Sequence, residues 1–95
     1  MISNYEDVKK ALVTLYIEKT LLDIGKPVYE KVTRRLYAKY HCYLPDCYDH
    51  PEYLNEILKK LFGDSSKVIV ESISKQLKEF DNHDKIKRFL QVICC

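Results

Sequence analysis

Two interruptions, Gly25-Lys26-Pro27 and Gly63, most constrain what this chain can fold into. Around them apolar residues return every three or four positions, which is the period of a helix and not of a strand. Gly25 offers the left-handed residue that stops a first helix. Pro27 restarts the chain at a first-turn position, where its missing N–H costs nothing. Gly63 is expected to end a later helix.

The stripes and their start signals divide the chain further. Ser3-x-x-Glu6 reads as a capping box, each side chain satisfying an orphan backbone N–H of the first turn. Behind it Val8, Leu12, Leu15 and Leu22 form the expected core stripe, with Ile17, Leu21 and Ile24 widening it. Val28, Val32, Leu36 and Tyr40 carry a second helix as far as His41. Asp49-x-x-Glu52, with Pro51 inside the first turn, opens a third that presents Leu54, Ile57, Leu58 and Leu61. Asp64 or Ser65 caps a fourth, bearing Val68, Ile69, Ile73, Leu77 and Phe80. Asp81-x-x-Asp84 caps a fifth, with Ile86, Phe89, Leu90 and Ile93 inward. The expected fold is all-α: a compact single-domain bundle of about five helices, residues 1–95, with short interhelical turns. The long first helix is expected to be the wall on which the shorter ones pack.

Composition closes off several functions. Ninety-five residues make one core and leave no room for a separate catalytic domain. A net charge of +2 draws the chain to neither nucleic acid nor an anionic membrane. No apolar run approaches the roughly 20 residues that span a bilayer, and "MISNYEDVKK" has no signal-peptide core, so a cytoplasmic location is expected. Lys and Glu are abundant while Gln, Asn and Met are few, a bias shared with thermophile proteins. That bears on the four cysteines, because intracellular disulfides are common in hyperthermophiles.

"HCYLPDCYDHPEYL", residues 41–54, is the stretch that does not read as helix, and it concentrates chemistry. Cys42-x4-Cys47-x2-His50 offers three zinc ligands, with His41, Cys94 or Cys95 to complete a tetrahedron. Alternatively Cys42 and Cys47 pair as a small-loop disulfide, or both stay reduced. Oxygen ligands gather at two junctions: Asp46, Asp49 and Glu52, and, as second choice, Glu79, Asp81 and Asp84. Neither matches an EF-hand loop, so any Ca²⁺ held there is expected to bind weakly. On the second helix Lys31, Arg34, Arg35 and Lys39 lie near Tyr37 and Tyr40, the mixture that binds single-stranded nucleic acid. No phosphate loop, paired catalytic carboxylates or nucleophile-base spacing points to an enzyme. No cofactor is required.

Two segments, "EKTLLDIGKPVYEKVTRRL" (18–36) and "LNEILKKLFGDSSKVIVESISKQL" (54–77), carry the motifs Leu21-x-x-x-Gly25-x-Pro27 and Leu54-x-x-x-Leu58-x-x-Leu61-Phe62-Gly63. Over roughly residues 11–80 the chain resembles a small all-helical archaeal family, the Nitrosopumilus-type output domain. The resemblance implies an interaction or effector module of archaeal signalling proteins, with no catalytic residue to transfer. This chain departs from it in the Cys/His-rich stretch at 41–53 and in the helix after Asp81. The functional expectation is therefore a non-enzymatic binding or regulatory module acting through a protein partner, with a weak Ca²⁺ site at a junction. The alternative is a nucleic-acid-associated protein that uses the second helix.

Overall fold

The computed structural model describes residues 5–80 and 82–94. Among them are five α-helices: α1 (Tyr5–Ile24), α2 (Lys26–Tyr40), α3 (Pro51–Phe62), α4 (Ser66–Leu77) and α5 (Asp84–Ile93). Three 3-10 turns, Leu44–Tyr48, Gly63–Ser65 and Lys78–Phe80, join the later ones, and the described residues hold no strand. The stretch at 41–54 is thus largely helical: its centre is a 3-10 turn, and α3 begins at Pro51.

Helix α1 is about 30 Å long at 1.5 Å per residue, in a molecule whose principal extents are 34 × 26 × 21 Å. It packs against α2, α4 and the 44–48 turn, while α3 packs against α2, α4 and α5. The first helix is therefore a wall for only part of the bundle. One core unites Val13, Ile17 and Leu21 of α1 with Leu36, Leu54, Leu58, Ile73, Leu77, Ile86, Phe89 and Ile93. Polar ties cross the same seams. The Gln76 amide donates to the buried Thr20 hydroxyl at 2.7 Å, joining α4 to α1. Asn55 donates to the Val92 carbonyl at 2.7 Å, satisfying one of the acceptors that a helix C-terminus leaves open.

Several expected helix ends differ. Gly63 does end α3, at φ 55°. Gly25, however, is extended (φ 161°), and the left-handed residue is His41 (φ 54°), whose N–H bonds the Tyr37 carbonyl at 2.9 Å to close α2. The break falls at Gly25 itself, whose carbonyl accepts the first N–H groups of α2, from Val28 and Tyr29, and Pro27 in the first turn has no N–H with which to continue the α1 ladder. Asp49 does not cap α3: the N-cap is His50, whose side chain makes no capping bond to the helix backbone. Ser65 precedes α4 and His83 precedes α5, and neither side chain makes a capping bond. Ser3, Asp81 and Cys95 lie outside the described residues, as does the Glu6 side chain.

The core faces of α3, α4 and α5 fall where their stripes put them, with four departures. Leu61 and Leu90 are half-buried at the margin, Phe80 is half-buried on the 78–80 turn beyond α4, and Val68 is exposed one position before the buried Ile69. Helix α1 departs most. Its inward residues are Val13, Ile17, Thr20 and Leu21, whereas Val8, Leu15 and Leu22 face solvent and Leu12 is half-buried.

Candidate functional site

The ligand-rich stretch is bound up in holding the fold. Asp46 accepts the Tyr43 N–H at 2.8 Å, fixing the start of the 44–48 turn, so its carboxylate is not the spare oxygen donor that spacing made it. Asp49 accepts from Lys85 of α5 at 2.6 Å and from Lys10 of α1 at 3.3 Å, joining both ends of the chain to the middle. Lys85 also stands 4.9 Å from the centre of the Tyr48 ring. Glu52 pairs with His50 Nδ1 at 3.3 Å. The three carboxylates serve three different structural bonds. Among the described residues no three His, Cys, Asp or Glu side chains converge to hold a metal. At the second junction Glu79 is exposed on its 3-10 turn and Asp84 occupies the first turn of α5.

The lysines hold the Asp49 carboxyl below its ordinary pKa of 3.8, Lys85 contributing most. A carboxyl with a lowered folded-state pKa adds stability above its unfolded value and loses it as pH falls through the folded one. Asp49 is 41% exposed, so solvent screening limits the effect. Asp49→Asn is expected to cost about 0.5–1 kcal/mol at neutral pH. Urea titrations from pH 7 to pH 2 should show that difference constant above about pH 5 and gone in strong acid. A difference that grew as pH fell would contradict the bridge.

The cysteines are structural too. Cys42 and Cys47 are free thiols, both buried, and no bridge joins them. The 44–48 turn carries Cys47 into the core beside Leu44 and Tyr48, where a thiol packs as a small hydrophobe. Burial, and then the charges of Cys42, Asp46 and Glu52, push the Cys47 pKa up to about 12. A zinc site needs thiolate, and this environment opposes it. Cys94 is exposed, 3.3 Å from the Ser74 hydroxyl, on a separate part of the fold.

On α2, Lys31, Arg34 and Arg35 are exposed, but Lys39 is engaged in an ion pair with Glu56 of α3. The rings beside them occupy one another. Tyr40 stacks on Tyr53 at 3.9 Å, and Tyr53 stacks on His50 at 4.6 Å. Tyr37 leans on Tyr43 at 5.5 Å and meets His41 edge-on. Tyr37 and Tyr43 nevertheless stay half or more exposed, and Glu30 is exposed among the cations. A groove of about 540 Å³ between α3, α4 and the end of α5 has an apolar floor of Leu58, Val70 and Ile93. Lys59 and Lys67 on its rim are offset by Asp64 and Glu71, so its charge selects no ligand class.

What the packing leaves without a partner is the outer face of α1. Val8, Leu15 and Leu22 are 57%, 54% and 44% exposed, on the side opposite Val13, Ile17 and Leu21. With Leu12 and Lys19 they form one line, 8-12-15-19-22, at alternating steps of four and three. That is the seam of a coiled coil. Beside it Ala11 and Pro45 floor a shallow concavity of about 430 Å³. Exposed aliphatic residues scattered singly need no explanation, whereas these share one face of a single helix. A single-faced reading of α1 merged this stripe with the buried one. The visible signal was that the helix has two apolar lines where a surface helix has one.

No family model, curated protein or solved structure matches the chain. No described helix is long and apolar enough to cross a membrane.

Proposed function

We propose that this protein is a non-enzymatic helical interaction module that acts through a protein partner, docked on the outer face of α1. The observation that carries the proposal is the line of exposed Val8, Leu15 and Leu22 with half-buried Leu12, on a helix whose opposite face buries Val13, Ile17 and Leu21. Helix-in-groove and helix-on-helix recognition read out anchors at this spacing. A rigid helix, already held by α2, α4 and the 44–48 turn, presents them without an ordering cost on binding. The resemblance to archaeal output domains supports the same class of role. Calcium is not part of the proposal, because among the described residues no three His, Cys, Asp or Glu side chains converge.

A photo-crosslinking side chain placed at Leu15 should give protein adducts in cells expressing the chain. The same group at Arg34, on the outer side of α2, should give far fewer. Adducts at Leu15 should disappear when Val8 and Leu22 are both changed to Glu. Equal yields at the two positions, or none at Leu15, would defeat the proposal.

A further inference from the structure

We infer that the outer side of α2 binds single-stranded nucleic acid, with bases stacked on Tyr37 and Tyr43 and phosphates held by Lys31, Arg34 and Arg35. This is a different face from the one proposed for a protein partner, and the inference does not rest on that proposal. Its first support is where the exposed rings lie. Of the described tyrosines and phenylalanines, Tyr37 and Tyr43 are the two most exposed, at 50% and 65%. They lie against each other, ring centres 5.5 Å apart and planes 34° from parallel. The backbone builds that contact. His41 closes α2 in the left-handed conformation, and the chain returns through an extended Tyr43 to a ring one turn inside the helix. Cys42 and Leu44, buried on either side, hold the Tyr43 ring outward, because successive side chains of an extended segment point to opposite sides. The Tyr43 N–H is tied to Asp46 at 2.8 Å, so the platform is fixed before any ligand arrives.

The second support is charge. Arg34 lies one turn before Tyr37, and Lys31 one turn before Arg34, with Arg35 beside them. Lys10, Lys19, Lys39 and Lys85 are held in ion pairs, but among the described residues Lys31, Arg34 and Arg35 are not. Three cations therefore stand against Glu30 on this side of the helix, an excess that the net charge of +2 for the whole chain conceals. The exposed Ala38, four residues after Arg34 and three before His41, leaves a strand room to lie close to the helix. Together the two features choose the ligand. Cations alone suit any polyanion, an acidic peptide included. Open ring faces beside them suit an anion that also carries flat bases, and a single strand has bases free to stack. Three phosphate contacts make a weak site, with a dissociation constant on the order of 10⁻⁴ M at low salt.

NMR titration of the isotope-labelled full chain with a short oligothymidylate, an inorganic polyphosphate and a polyglutamate peptide tests this. Oligothymidylate should shift amides between 31 and 43 and move the Tyr37 and Tyr43 ring protons upfield. Its log affinity should fall with log salt at a slope of about −2, from about −0.7 per phosphate. Tyr37→Leu and, separately, Tyr43→Leu should each weaken oligothymidylate about tenfold and leave polyphosphate unchanged, a split that damage to the fold cannot produce. Arg34→Gln should weaken both and reduce the slope by about 0.7. Polyphosphate or polyglutamate binding as tight as oligothymidylate would make the face a site for polyanions or acidic proteins and overturn the assignment. So would shifts centred on another face, or no saturable shift at millimolar oligothymidylate in low salt.

Discussion

Leu58→Ala should destabilise the protein by about 2–5 kcal/mol, the range for truncating a buried leucine to leave a cavity. Leu58 is fully buried on α3, which is packed by α2, α4, α5 and the 44–48 turn. It also floors the groove between α3, α4 and α5, so part of the space left by truncation opens to solvent and the middle of that range is expected. For a domain whose whole stability is about 5–15 kcal/mol, such a loss is a large share of the total. Urea unfolding should show a lower midpoint at unchanged slope, meaning that the native state and not the unfolded one has changed. A loss below about half a kcal/mol would put α3 on the wrong face.

Two substitutions two residues apart on α1 should give opposite results. Ile17→Ala removes a fully buried side chain and should cost about 2–5 kcal/mol. Leu15→Ala removes one that is 54% exposed and should change the stability of the dilute protein by no more than about 0.5 kcal/mol. Alanine's helix propensity is at least as good as leucine's, so nothing in the backbone opposes the second change. Equal losses would mean that α1 packs on both sides and has no free face.

The contrast also shows what could be read from residues alone. Helices α3, α4 and α5 are each apolar on one side, so their stripes placed Leu54, Leu58, Ile73, Leu77, Ile86 and Phe89 in the core without ambiguity. Helix α1 is apolar on two opposite sides, and period alone does not say which one the bundle covers. The inner line won because Val13, Ile17, Thr20 and Leu21 meet α2, α4 and the 44–48 turn, a pairing set by residues distant in sequence. The same limit misplaced the ligands. Asp49 looked available beside Asp46 and Glu52 because its lysines are 39 and 36 residues away along the chain. The thiol of Cys47 looked reachable because nothing local reveals that a 3-10 turn buries it. Gly63 was legible, since a positive φ is a local demand. Gly25 was legible as the place of the break but not in its conformation, which is extended and not left-handed.

Solvent paramagnetic relaxation of leucine and valine methyls, recorded with a soluble gadolinium chelate, tests the central claim most directly. Val8, Leu15 and Leu22 should relax strongly while Leu21, Leu36 and Leu54 stay protected. Leu15 and Leu22 as protected as Leu21 would contradict the account, because α1 would then have no open face to offer.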